Sequence, residues 1–278
     1  MSVEGFLANT LALVSLALLG LGLAPVLNGL ADNLPRTNRE GEGSSGWRLF
    51  VPRCVWCGEP RRGVAAHALL ARMMGKPACG HCGGPAPRRN EWVEVVLGIL
   101  LPLLWIQGRQ AALPLLEGIV AVMLFVLVTV VDLEQRLVLM EVVLGGALLL
   151  LVASALRGEL VGSLVGMAVG GAVFFLLFTL SVLFARVIGS DLAAALGLGD
   201  VSLAALVGLG VGWPAVLPAL LLAILFAGGA GGAILLWNLA RHRPLRGITM
   251  AYGPYLALAA LVILVLGPKL LSRGMPVG

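Results

Sequence analysis

The chain has 278 residues, of which 59% are hydrophobic and only 12% are charged. A soluble protein averages about 25% charged residues, so this composition excludes a water-soluble fold and predicts an integral membrane protein. The net charge is +5, and ten of the 19 basic residues fall between residues 32 and 91, so the basic excess is local and gives little support for nucleic-acid binding. These ten are Arg36, Arg39, Arg48, Arg53, Arg61, Arg62, Arg72, Lys76, Arg88 and Arg89.

Charge-free apolar segments predict an all-α protein with about eight transmembrane helices, since each crossing needs about 20 apolar residues. The chain begins Met1-Ser2-Val3-Glu4 without the basic start of a secretory signal peptide, so we expect the first segment to be retained. Glycines at positions 162, 166 and 170 are typical of close helix packing. A Gly-Trp-Pro turn at residues 212–214 separates two spans. The predicted spans lie within residues 5–31, 95–108, 118–131, 142–156, 160–185, 201–240 (two spans) and 247–268.

The basic residues also predict the orientation of the chain, because cytoplasmic loops are enriched in Lys and Arg. With residues 32–91 in the cytoplasm, 15 of the 19 basic residues lie on that side and four lie outside. Both termini are then extracytoplasmic. On this basis the chain divides into a first helix at 1–31, a polar cytoplasmic insert at 32–91 and a membrane domain at 92–278.

All four cysteines lie in the insert, as Cys54-Val-Trp-Cys57 and Cys79-Gly-His-Cys82. Two CxxC pairs at this separation predict a zinc site with four thiolate ligands. Such a closed ligand set leaves the metal no open position, so we expect structural Zn²⁺ rather than a catalytic ion. Paired disulfides and a redox role are the alternatives, and a reducing cytoplasm disfavours disulfides. We expect His81 to be solvated rather than a fifth ligand.

Two aspartates lie where apolar segments end or begin, at the same predicted membrane face. Asp132 ends one segment, and Asp200 opens another in Gly197-Leu198-Gly199-Asp200. Ionisable residues at such positions are costly and often functional, and a carboxyl pair that shares one proton can hydrolyse a peptide bond. Gly197 and Gly199 would let a substrate backbone approach closely. The alternatives are a helix cap for Asp200 and a simple helix end for Asp132. Three further acids near this face are expected to be solvated: Glu134, Glu141 and Asp191.

Taken together, these residues resemble the type IV prepilin peptidases, polytopic aspartic proteases of the bacterial inner membrane. The resemblance covers essentially the whole chain. It rests on the GxGD sequence at residues 197–200, on Asp132 before it, and on the double CxxC insert. The other matching positions are Asn28, Leu34-Pro35, Arg89, Glu94 and residues 252–259.

The resemblance implies that Asp132 and Asp200 form the catalytic pair. The substrate would be a prepilin of a type IV pilus or a pseudopilin of type II secretion, cut on the cytoplasmic side after a glycine. The new N-terminus would then be methylated from S-adenosylmethionine, with Arg89 and Glu94 as candidate cofactor-binding residues. Gly253-Pro254 would either shape the wall of the protease site or start the last helix.

The chain departs from the family pattern at three places. Leu139 stands where the family has a proline, Asn33 replaces an arginine before Leu34-Pro35, and residues 63–68 replace an Asp-Asn-Ile-Pro-like stretch. The last two changes leave methyl transfer open. His67 lies in the replaced stretch, and we expect it on a helix surface rather than as a general base. The alternatives are a peptidase without methyl transfer, or a non-catalytic membrane scaffold or transporter whose zinc knuckle docks a partner.

Overall fold

The computed structural model describes residues 3–40, 46–75, 79–136, 138–188, 197–241 and 252–274. Within these ranges the protein is all-helical, with nine α-helices, two 3₁₀ helices (Gly46–Phe50 and Gly63–Ala66) and one isolated β-bridge. The prediction of an all-α fold is confirmed. The helices are α1 (Val3–Glu40), α2 (Ala68–Met73), α3 (Arg88–Ile106), α4 (Ala112–Gln135), α5 (Met140–Leu156), α6 (Leu160–Ile188), α7 (Leu198–Val211), α8 (Val216–Ala240) and α9 (Gly253–Gly274).

Each predicted span falls on one helix of the set α1 and α3 to α9. Within the described residues, four helices are long and apolar enough to cross a membrane: α1 over Gly5–Pro35, α4, α6 over Leu160–Phe184, and α8. The apolar parts of α5, α7 and α9 are shorter. Most side chains of α6 and α8 are not buried within the protein, as expected for helices that face lipid. The eight crossings therefore stay a prediction.

The first compact unit, Met1–Leu127, is built on the packing of α1 against α3. Gly20 lies so close to α3 that a Cβ atom there would be 2.5 Å from the Leu97 carbonyl oxygen. Gly29 lies equally close to the backbone at Phe50, at the end of the first 3₁₀ helix. Both contacts require glycine, because any side chain would separate the backbones. The predicted boundaries at residues 31 and 91 both fall inside this unit.

Asn33 links the end of α1 to the start of the insert. It is only 1% exposed, and its Nδ2 lies 2.7 Å from the Gly29 carbonyl oxygen and 3.1 to 3.2 Å from those of Arg48, Leu49 and Val51. These carbonyls surround a nitrogen that has only two hydrogens to donate. The asparagine that replaces the family's arginine therefore has a structural role, since it fixes the 3₁₀ helix to α1.

The second compact unit, Val128–Gly278, is organised around α7, which contacts α5, α6, α8 and α9. Three leucines of α7 are buried, at positions Leu203, Leu206 and Leu209. Close packing at Gly166 and Gly170 is confirmed: a Cβ atom at Gly166 would overlap the Gly208 carbonyl oxygen of α7, and one at Gly170 would overlap the carbonyl oxygen of Ala204. The glycines of α6 therefore let the α6 and α7 backbones touch, which fixes the position of α7.

We expect Gly208→Ala to lower the free energy of unfolding in detergent by about 1 to 3 kcal/mol, because the added methyl group would overlap the Gly166 backbone. Gly228→Ala in α8 is the matched control, since a Cβ atom there has no neighbour within 4 Å. Denaturation monitored by circular dichroism measures both variants. Equal stability of the two variants would contradict the proposed packing role.

Candidate active site and metal centre

Asp132 lies near the C-terminal end of α4 and is only 5% exposed. Its carboxylate accepts a hydrogen bond from the backbone N–H of Gly253, the first residue of α9. A Cβ atom at Gly253 would overlap Asp132 Oδ2 and would lie 3.1 Å from Leu203 Cδ2. A side chain at this position would therefore have to displace the Asp132 carboxylate, and the positive end of the α9 dipole faces that carboxylate.

Asp200 is the third residue of α7. Its Oδ2 accepts a hydrogen bond of 2.9 Å from the backbone N–H of Gly197, the residue before the helix. The capping contact considered from the sequence is therefore present. A carboxylate has two oxygens and about four acceptor sites, so this contact is compatible with chemistry at the same group.

The structure brings Asp132 and Asp200 close enough for their carboxyl groups to interact electrostatically. Asp200 also interacts electrostatically with Tyr252. The Tyr252 ring is held edge-on to Phe174 at 5.4 Å between ring centroids. Two acids from separate helices thus lie beside one aromatic residue and the start of α9. Tyr252 is not among the site residues predicted from the sequence, although it precedes Gly253-Pro254 in the segment that carries the resemblance.

The two candidate substrate-binding glycines of α7 differ in their surroundings. A Cβ atom at Gly197 would meet nothing closer than 3.9 Å, whereas one at Gly199 would lie 3.1 Å from Val138 Cβ. Gly199 is thus covered by the segment that follows Asp132, and Gly197 is the more open of the two. No sequence pattern singled out Val138. Leu139, at the family's proline position, is buried directly before α5.

The remaining predicted residues near this site lie as follows. Pro254 is buried as the second residue of α9, so Gly253-Pro254 both starts a helix and adjoins Asp132. Glu134 and Glu141 are exposed. Asp191 lies outside the described residues.

The four cysteines lie together in the first unit, with their Sγ atoms within 4.8 Å of one another. None forms a disulfide, and His81 is exposed. Four thiols at this spacing match the ligand set of a tetrahedral Zn²⁺ ion. The residues present therefore fit the metal that the sequence predicts.

The two CxxC segments have the same backbone geometry. Gly58 and Gly83 both have positive φ angles, +73° and +71°. Each donates its N–H to the carbonyl of the first cysteine of its pair, at 2.9 Å to Cys54 and 2.8 Å to Cys79. The repeated turn directs both thiols of each pair toward the same point.

The Cys54 thiol is prepared for metal binding by its surroundings. Burial raises the pKa of this thiol. Hydrogen bonds from the backbone N–H groups of Cys57 and Trp56 and from the Arg61 guanidinium outweigh burial and lower the pKa to about 6. The thiolate is the form that binds metal. The surroundings of Cys54 therefore favour the metal-binding form of this one cysteine at neutral pH, whereas the pKa of Cys57 is raised to about 12, with the neighbouring thiols among the causes.

The two candidate cofactor-binding residues are engaged within the first unit. Glu94 is 1% exposed and accepts hydrogen bonds from the N–H groups of Ala68 (2.5 Å) and Leu69 (2.8 Å), the first residues of α2. Arg89 forms an ion pair of 2.5 Å with Asp32. Both side chains take part in contacts within the protein, and their assignment to S-adenosylmethionine stays a prediction.

The residues around Glu94 and Arg89, including the replaced stretch at residues 63–68, have a local structure of their own. Asp32 also accepts a hydrogen bond of 2.9 Å from the Arg53 N–H. Residues Gly63–Ala66 form the second 3₁₀ helix. His67 is half-buried and occupies the N-cap position of α2, where its side chain makes no hydrogen bond to the helix, so it precedes the helix instead of lying on its surface.

Comparison with known proteins supports the resemblance. Residues 119–232 match the Type IV leader peptidase family. The chain is 28% identical over 243 residues to a prepilin leader peptidase/N-methyltransferase of Aeromonas hydrophila, covering 83% of this chain and 77% of the relative. It is 27% identical over 232 residues to a protein of the same name from Pseudomonas putida, covering 82% and 76%. No solved structure matches significantly.

We expect Glu94→Gln to destabilise α2 by about 1 to 2 kcal/mol, because the amide can accept only one of the two backbone hydrogen bonds. Hydrogen exchange at Ala68 and Leu69 should then be faster. Glu91→Gln is the matched control, since Glu91 pairs with the exposed Arg72 and such surface pairs contribute about 0.5 kcal/mol or less. Equal protection of the two amides in both variants would show that Glu94 does not hold α2.

Proposed function

We propose that the chain is a membrane-embedded aspartic endopeptidase that removes the leader peptide of type IV prepilins or pseudopilins. The observation that carries this proposal is the match of residues 119–232 to the Type IV leader peptidase family. That segment contains both Asp132 and Asp200, whose carboxyl groups lie close enough to interact electrostatically. The names of the two relatives support the same substrate class.

The proposed chemistry uses the two carboxyl groups as a pair. Since two close carboxylates do not both ionise readily, they share one proton. The ionised aspartate takes a proton from the attacking water, and the protonated aspartate donates a hydrogen bond to the scissile carbonyl. Gly253 holds Asp132 through its backbone N–H. The open space over Gly197 leaves room for an extended substrate backbone.

The membrane arrangement belongs to the same proposal. The chain crosses the bacterial inner membrane about eight times, with residues 32–91 in the cytoplasm and both termini outside. The distribution of basic residues supports this orientation. Asp132 and Asp200 then lie at the cytoplasmic face, where the leader peptide would be cut. The membrane domain at 92–278 would hold the peptidase.

The insert at residues 32–91 would be a structural zinc domain. Cys54, Cys57, Cys79 and Cys82 would hold the ion, and the short distances among their Sγ atoms support this. A closed tetrathiolate ion stabilises the fold and performs no chemistry. Its role would be to hold the two CxxC turns together.

Methylation of the new N-terminus is the second candidate activity, which the names of both relatives favour. The methyl donor would be S-adenosylmethionine. Mass spectrometry of the cleaved substrate separates the two forms of the proposal. A mass gain of one methyl group on the new N-terminus indicates both activities, and cleavage without that gain indicates a peptidase alone.

We expect Asp132→Asn and Asp200→Asn each to lower leader cleavage in detergent at least about a hundredfold, because an amide cannot exchange the proton that the mechanism moves. Gel analysis of a purified leader-bearing substrate measures the rate. Glu134→Gln is the matched control, an exposed acid two residues from Asp132 that should retain full activity. Cleavage retained in both aspartate variants would overturn the proposed aspartic mechanism, whereas no cleavage by the wild-type protein would favour a non-catalytic scaffold or transporter.

We expect about one zinc ion per purified wild-type chain, and Cys54→Ser should lose it because three thiolates leave the tetrahedron incomplete. Metal analysis by mass spectrometry measures the content. His81→Ala is the control and should keep its zinc, since this residue is exposed. A reduced and folded wild-type preparation without metal would rule out the zinc site.

A further inference from the structure

Arg61 is a charged residue buried beside the four cysteines. It is only 2% exposed, and its Nη2 donates to the Pro85 carbonyl at 2.8 Å, to the Gly84 carbonyl at 3.4 Å and to Cys54 Sγ at 3.7 Å. Its Nε is buried without a hydrogen-bond partner. Burying a guanidinium among neutral partners is costly, so its position requires a source of negative charge.

The place of Arg61 in the chain lets it join the two CxxC turns. It lies three residues after Gly58 of the first turn, and its backbone N–H donates to the Pro52 carbonyl at 2.8 Å. The carbonyls that it binds, at residues 84 and 85, directly follow the second turn. The N–H of Gly84 in turn lies 3.4 Å from Cys82 Sγ. One side chain therefore contacts a thiol of the first pair and the backbone that leaves the second pair.

A zinc ion with four thiolate ligands carries excess negative charge. That charge lies where the Arg61 guanidinium is buried, so metal binding compensates the arginine and the arginine compensates the thiolates. Hydrogen bonds to metal-bound ligands orient them and tune the affinity of the metal. The planar guanidinium suits this role, since it presents several donors in a fixed arrangement.

We propose that Arg61 is a positioning residue for the metal, which holds the Cys54 thiolate and fastens the second CxxC turn so that the zinc ion is retained. This inference rests on the proposed zinc site and adds to it a residue outside the ligand set. The four ligands alone would define the ion's coordination, and Arg61 would set how long the ion stays bound.

The neighbouring residue supplies a matched control. Arg62 carries the same charge, but it is exposed and stacks over the Trp47 ring at 4.9 Å. Arg62→Gln changes the net charge of the insert as Arg61→Gln does. It does not remove a contact to a cysteine or to the second turn. Any difference between the two variants then reports on the position of the arginine and not on overall charge.

The experiment measures zinc release from the purified full chain in detergent after addition of excess chromogenic chelator. Arg61→Gln should release zinc at least about tenfold faster than wild type, and Arg62→Gln should match wild type. Arg61→Lys keeps the charge without the planar donor arrangement, so its rate should be intermediate. Substitution with Co²⁺ gives a second readout, because loss of the hydrogen bond to Cys54 should shift the thiolate-to-metal absorption band in the Arg61 variants alone.

Each outcome decides the proposal. Zinc release at the wild-type rate from Arg61→Gln overturns it. If that variant does not fold, Arg61→Lys decides, with faster release supporting the role and unchanged release opposing it. A wild-type chain that holds no zinc overturns the metal site and this inference together. Zinc retained equally by wild type and all Arg61 variants overturns this inference alone.

Discussion

Backbone N–H groups hold three acidic side chains that the sequence singles out, two in the candidate active site and one in the first unit. Asp132 accepts from Gly253, Asp200 accepts from Gly197, and Glu94 accepts from the first residues of α2. An ionisable group beside apolar helices needs a partner, because its desolvation is costly. With only 12% charged residues, the chain has few side chains to serve as partners. Backbone donors at helix starts have no partner within their helix, so they are available to donate hydrogen bonds to these acids.

This way of holding the acids makes the geometry of the site depend on where helices begin. Asp200 is fixed by the start of α7, and α7 is fixed by its glycine contacts with α6, where no side chain separates the backbones. Asp132 is fixed by the start of α9, where its carboxylate lies so close to Gly253 that a methyl group added at Gly253 would overlap it. In a membrane, such close backbone packing is a main source of helix association. The electrostatic interaction between the two acids therefore follows from helix packing in the second unit.

The sequence predicts features that depend on local pattern. Absence of charge locates the helices, CxxC spacing predicts the thiol cluster, and position at the edge of an apolar segment singles out Asp132 and Asp200. Contacts between residues far apart in the chain carry no such pattern. Three such contacts can be identified only in the folded structure: the Gly253 N–H lies on Asp132, Val138 covers Gly199, and Arg61 lies among the cysteines. The sequence allows two interpretations of Asp200, a helix-capping residue or a catalytic acid. The capping contact in the structure is compatible with both.

Contacts within the first unit involve residues at which the chain departs from the family pattern. The short Asn33 amide donates to backbone carbonyls at the first 3₁₀ helix from a buried position on α1. An arginine at this position would not make the same contacts. Glu94 holds the helix that follows the altered stretch at residues 63–68. Arg89 is paired with Asp32. The residues that the resemblance assigns to S-adenosylmethionine are thus the ones that hold the insert together. The proposed hydrolysis uses Asp132 and Asp200 of the second unit, whereas the residues predicted for methyl transfer lie in the first, so one proposed activity can be lost without the other.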